Sequence, residues 1–184
     1  MHSRFSISAE IARAMHCTAD IERTLALRNI AQTLYQPGDN QGGRAAGFDD
    51  IEANRHEQRL ARIFDSLRHQ SGSTQIGELD MVQFAMDRQL DHAICGLAIL
   101  TGLAATMIEA AFSSNTPDLL LVACRMRNFA WSSTKYMLAL RSVVPDPEQL
   151  EEWAEEYHQI PIYLAQRFGR FLHVHTGAPA LRLL

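Results

Sequence analysis

Between His92 and Glu109 runs a stretch of sixteen residues, 93–108, that holds no acidic, basic or histidine side chain. Its apolar residues fall at every angle around a helix instead of along one stripe, so as a helix it must be surrounded by protein or by lipid. A bilayer span needs about 20 apolar residues. No Trp or Tyr belt and no Lys/Arg cluster flanks the stretch, as a span would require. It is therefore expected to be the buried central helix of an all-α domain. Ala98, Gly102, Thr106 and Ala110 recur at every fourth position, which predicts a shared small face for close approach of another helix.

The chain of 184 residues suits one domain, 1–184, with a real core. An apolar content of 47% and a charged content of 21% are those of a globular protein. The net charge of −4 supplies no overall field towards nucleic acid. Cys17, Cys95 and Cys124 form no C-x-x-C pair and no disulfide framework, which predicts reduced thiols in a cytoplasmic protein. Glu10, Arg13, Asp20 and Glu22 interrupt any apolar signal segment. Sixteen of the 17 basic residues are Arg, spread along the whole chain, with Lys135 the exception.

The expected architecture is an antiparallel bundle of about five helices around the buried one. A first helix over 8–35 carries Ile11, Met15, Ile21, Leu25, Leu27, Ile30 and Leu34 at helical spacing, behind Ser8 as N-cap. Residues 9–25 faintly resemble a helix-turn-helix half. The spacing is one residue short and no Gly marks the turn, so a continuous helix is expected. Pro, Gly and Asn make 36–48 a long flexible loop. A second helix starts at Asp49, with Glu52 completing a capping-box variant, and presents Leu60, Ile63, Phe64 and Leu67 until Ser71-Gly72-Ser73. A third begins near Gly77 and runs through the apolar stretch to Phe112, either unbroken or bent near 87–91.

The fourth helix has Thr116 as N-cap, Pro117 at its first position and Asp118 in its first turn. Val122, Met126, Phe129, Ser133, Met137 and Leu140 line one side, and Arg125, Asn128, Ser132 and Lys135 another. Pro145 stops it, and Asp146-Pro147-Glu148 restarts a fifth helix. That helix carries Leu150, Trp153, Tyr157, Leu164 and Phe168, with a kink before Pro161. Gly177 closes it and leaves a tail, 178–184.

Four constellations could carry chemistry. Glu155 and His158 form one Glu-x-x-His pair of the kind that two-metal bundles use twice, but no second pair exists, and no cofactor is expected. His56 falls on the apolar side of its helix with Leu60 and Ile63. It reads as a hydrogen-bonded boundary residue. The run His92-Ala93-Ile94-Cys95-Gly96, followed by Gly102, resembles the phosphoacceptor segment of histidine phosphotransfer domains, helical bundles in which a surface His accepts a phosphoryl group. That resemblance covers about eleven residues and implies His92 as phosphoacceptor. Cys95 stands where the family has a Lys, so the charge that steadies the phosphoryl group is missing.

The fourth constellation is a local basic excess of Arg125, Arg127, Lys135 and Arg141 near Trp131 and Tyr136. It could touch a nucleic-acid backbone. The same helix could instead face the acidic segment that follows, 146–156. No phosphate-binding Gly loop or nucleophile elbow is present. The expectation is a non-enzymatic accessory or regulatory subunit, working by contact with a protein partner or a second copy of itself. Nucleic-acid contact is the first alternative, a phosphotransfer-like bundle acting through His92 or a metal-binding one through Glu155 and His158 is the second, and no membrane partner is expected.

Overall fold

The computed structural model describes residues 49–70, 76–141 and 145–175. The expected helix over 8–35, the loop 36–48, Cys17, the Ser71-Gly72-Ser73 terminator, Gly177 and the tail 178–184 lie outside them. Among the described residues the fold is all-α, with eight helices. These are α1 (Asp49–Gln70), α2 (Glu78–Met86), α3 (Leu90–Thr101) and α4 (Ala105–Ser113), then α5 (Asp118–Met126), α6 (Trp131–Leu138), α7 (Pro147–Gln159) and α8 (Ile162–His175). No described helix is long and apolar enough to cross a membrane.

The second expected helix is α1, and the third, fourth and fifth divide into the other seven, one break falling within the bend allowed near 87–91 and one at the kink expected before Pro161. Arg88 (φ 56°), Gly102 (φ 74°) and Asn128 (φ 56°) each adopt the left-handed conformation that ends a helix. At Gly102 the backbone N–H donates to the Ala98 carbonyl at 2.8 Å, while the Thr101 hydroxyl donates back to Leu97 and accepts from the Leu103 N–H. The apolar stretch is therefore two helices, not one. Gly102 and Thr106 are exposed, so the row from Ala98 to Ala110 is not a shared face. The expected kink at Pro161 is a full break, since Ile160 is extended (φ −73°, ψ 111°) and α8 starts after it.

The helix most completely enclosed is α5. It buries every residue except Asp118 and Arg125, and packs against α3, α4, α6, α7 and α8. In α3 burial is confined to residues 93–98. From α1, the expected Leu60 and Leu67 reach the core, with Ile63 and Phe64 against it. Gly96 lets α2 lie close to α3, because a Cβ there would sit 2.6 Å from the Met81 sulfur. Gly169 on α8 does the same for α5, where a Cβ would meet Met126 Cε at 2.0 Å.

The start of α7 follows the sequence closely. Asp146 accepts from the Gln149 N–H at 2.8 Å, Gln149 accepts from the Asp146 N–H, and Pro147 opens the helix. At α5 the Thr116 hydroxyl caps no helix amide, and Pro117 takes the cap position with helical φ and ψ.

Two stretches repeat one another. Gly102 and Asn128 lie 26 residues apart, and each is followed by a buried apolar residue, Leu103 or Phe129, and then an extended alanine. Ala104 (φ −63°, ψ 140°) and Ala130 (φ −65°, ψ 150°) cap α4 and α6 in the same way. The Ala104 carbonyl accepts from the N–H groups of Met107 and Ile108, and that of Ala130 from Ser133 and Thr134. The pairs α3–α4 and α5–α6 are thus two helix–turn–helix units with the same turn geometry.

Across the molecule, α2 braces α6. The Glu78 carboxylate accepts from the Ala130 N–H at 2.7 Å, and the Arg88 guanidinium donates to the Ala139 carbonyl at 3.2 Å. The two helices therefore run parallel. An acid sits at the positive end of α6 and a base at its negative end, each favourable by about 0.3–1 kcal/mol.

Candidate functional site

The basic residues separate into two sets. Arg125 points inward from α5, donates from Nε to the Ile160 carbonyl at 2.8 Å, and lies 5.2 Å from the Tyr157 ring centre. It ties α5 to the break between α7 and α8. Tyr157 is itself fully buried and donates its hydroxyl to the Phe129 carbonyl at 2.6 Å. Burial pushes the Tyr157 phenol up to about 12.

Arg141 is only 3% exposed. It donates to the Ser114 carbonyl at 2.7 Å and stacks 5.3 Å over Trp153. Its Nε and Nη1 have no hydrogen-bond partner among the described residues. Burial pulls this guanidinium down from its ordinary range, and nearby Asp118 opposes that. Burial likewise pushes the Asp118 carboxyl up, against the Thr116 hydroxyl, the backbone and Arg141. Arg125 thus meets a carbonyl and a ring of the α7 end, Ile160 and Tyr157, whereas Arg141 meets the Ser114 carbonyl behind α4 and the Trp153 ring of α7.

Arg127 and Lys135 are exposed. Arg127 is the C-cap of α5, two residues past Arg125 and so off its face, and the break at Asn128 puts Lys135 on a separate helix. The four basic residues are not one surface.

Arg127 instead lies on an open groove formed by the C-terminal ends of α3 and α5 and the middle of α8, with a volume of about 540 Å³. Leu100, Thr101 and Gly102 line one wall, Met126 the floor, and Gln166, Gly169 and Arg170 the other wall. The Gln166 amide donates to the Met126 carbonyl at 3.3 Å and so fixes the floor to α8. A Cβ at Gly102 would meet nothing within 4 Å, so the groove opens there to solvent. No sequence pattern marks this site, because its residues come from three distant segments.

His92 stands in the first turn of α3, half-buried, with its ring 5.5 Å from that of Phe84. Of the two glycines in the phosphotransfer resemblance, Gly96 seats Met81 and Gly102 ends the helix. Glu155 and His158 lie on α7, both exposed, and the His158 ring makes an edge contact with Tyr157. No group of three or more His, Cys, Asp or Glu side chains converges among the described residues.

A polar network joins α1, α3 and α4. His56 Nε2 lies 2.7 Å from the Glu109 carboxylate, and Arg59 bonds both His56 Nδ1 at 3.2 Å and Asp91 at 2.7 Å. Arg can only donate, so Nδ1 accepts and Nε2–H donates to Glu109. Both ring nitrogens are occupied, consistent with the expected boundary role of His56. The two buried thiols are kept protonated. Burial pushes Cys95 up to about 12, helped by Asp91 and Glu109, and burial pushes Cys124 up to about 12.

No protein-family model, curated protein or solved structure is significantly similar to this chain.

Proposed function

We propose that the protein is a non-enzymatic helical accessory or regulatory subunit that works by contact with a protein partner in a cytoplasmic assembly. The observation that carries this reading is the outer side of α2. Met81 and Ala85 bury one side of this nine-residue helix, while Leu79 and Met86 stand 84% and 58% exposed on the other. Leu90 and Tyr136 add exposed apolar surface on α3 and on α6, the helix that α2 braces. Large apolar side chains exposed along one side of a helix are a feature of contact surfaces.

A photo-crosslinking residue at position 79, compared with one at exposed Glu152 on α7, tests the reading in cells. A discrete adduct from position 79 that is absent from 152 and lost in Met86→Glu is expected. Equal adducts from both positions, or none from 79, would refute it.

Contact with a nucleic-acid backbone is the second reading, favoured only by the exposure of Arg127 and Lys135. Two phosphate contacts give a salt slope of about −2 in log K against log salt. A slope several times steeper would require basic residues other than these two.

A further inference from the structure

We infer that the groove where α3, α5 and α8 meet binds a small anionic amphiphile, its carboxylate or phosphate held between Arg127 and Arg170 and its apolar body laid over Leu100 and Met126. This stands apart from the α2 contact surface.

Three observations carry it. The volume of about 540 Å³ lies within the range of small-molecule sites, about 300–1,000 Å³. The lining is apolar along Leu100, Met126 and Gly169, and among the described lining residues the charged side chains are two arginines and no carboxylate. Neither of those guanidinium groups has a hydrogen-bond, ion-pair or ring partner among the described residues. In a chain of net charge −4, two uncompensated positive charges at one groove are a local exception. The planar guanidinium fork matches carboxylate and phosphate oxygens two at a time.

One feature opposes anion binding. Both α3 and α5 end at the groove, and a helix C-terminus carries about half a negative charge. Much of that is already spent. The carbonyl of Ala98 accepts from Gly102, that of Cys124 from Arg127 and Phe129, and that of Met126 from Gln166. Two full positive charges outweigh what remains.

Isothermal titration of the full chain at low salt tests the inference, using octyl phosphate, octanoate, octan-1-ol and inorganic phosphate at monomeric concentrations. Saturable one-to-one binding of octyl phosphate or octanoate is expected, and the tighter of the two identifies the head group. Octan-1-ol and inorganic phosphate should bind at least tenfold more weakly. The Arg127→Gln/Arg170→Gln double variant should lose at least tenfold in affinity, while Arg62→Gln on exposed α1 surface should lose none. Both groove arginines are exposed, so circular dichroism of the double variant should match that of the parent. Three results would overturn the inference: no saturation by either charged amphiphile, octan-1-ol binding as tightly as they do, or an unchanged affinity in the double variant.

Discussion

The units α3–α4 and α5–α6 share a burial pattern but not a surface. Ile94, Leu97, Leu103, Ile108 and Phe112 in the first correspond to Leu120, Ala123, Phe129, Thr134 and Leu138 in the second, all buried. The exposed and half-exposed positions diverge. Thr101 becomes Arg127, Glu109 becomes Lys135, and Ala110 becomes Tyr136. One position shows that charge alone does not mark surface: half-buried Ile99 corresponds to Arg125, which points inward and bonds a carbonyl. The shared positions specify the unit, and the divergent ones are where the two units can differ in what they touch.

The largest expected effect compares the thiol buried in each unit. Cys95 and Cys124 are raised by burial from 9.0 to about 12, and Tyr157 from 10.0 to about 12. A group whose folded pKa is raised contributes stability below its unfolded pKa, and that contribution is lost as pH rises towards the folded value. In a Cys17→Ser background, urea stability should fall steadily between about pH 9 and 12. Cys95→Ala and Cys124→Ala should each flatten that fall. Neither thiol should react with a disulfide reagent at pH 8 until the chain unfolds. Rapid labelling of either would break the assignment of both as enclosed.

Next come the buried residues after the two turns. Phe129→Ala should cost about 3–5 kcal/mol and Leu103→Ala about 2–5 kcal/mol in urea unfolding. A cost near zero at Leu103 would break the correspondence between the units. Tyr157→Phe tests a hydrogen bond that, among the described residues, only the second unit receives. It removes the hydroxyl that donates to the Phe129 carbonyl and should cost about 1–3 kcal/mol.

The smallest effects sharpen the turns themselves. Gly102→Ala introduces no clash but places a Cβ at φ 74°, and should cost about 1 kcal/mol. Gly102→Asn should cost less, because Asn tolerates the left-handed conformation, as Asn128 already does. Asn128→Gly should change stability by at most about 0.5 kcal/mol. Equal costs for Gly102→Ala and Gly102→Asn would argue against the left-handed turn.

Much of the fold is legible because local signals were strong. The Asp146-Pro147 start of α7, the Leu60 and Leu67 stripe and the helical class all follow from caps and periodicity. The break at Arg88 falls within the bend allowed near 87–91, but that at Asn128 was not legible, because the residue is neither Gly nor Pro and the apolar period continues across it. Gly102 was visible but ambiguous, since a glycine in an apolar run serves equally as a helix contact or a helix end. The candidate site was hardly legible at all. Sequence identifies an arginine but not the direction it points, and so grouped Arg125 and Arg141 with Arg127 and Lys135. Arg170 became relevant only because α8 lies against α5.

That separation of arginines is the centre of the account, and two residues on one helix end test it directly. Urea unfolding of Arg125→Gln and Arg127→Gln, measured side by side, should give a loss of about 1.5–3 kcal/mol for the first, which breaks a charged hydrogen bond to Ile160. The second should stay within about 0.5 kcal/mol of the parent. A neutral Arg125 with a costly Arg127 would contradict it.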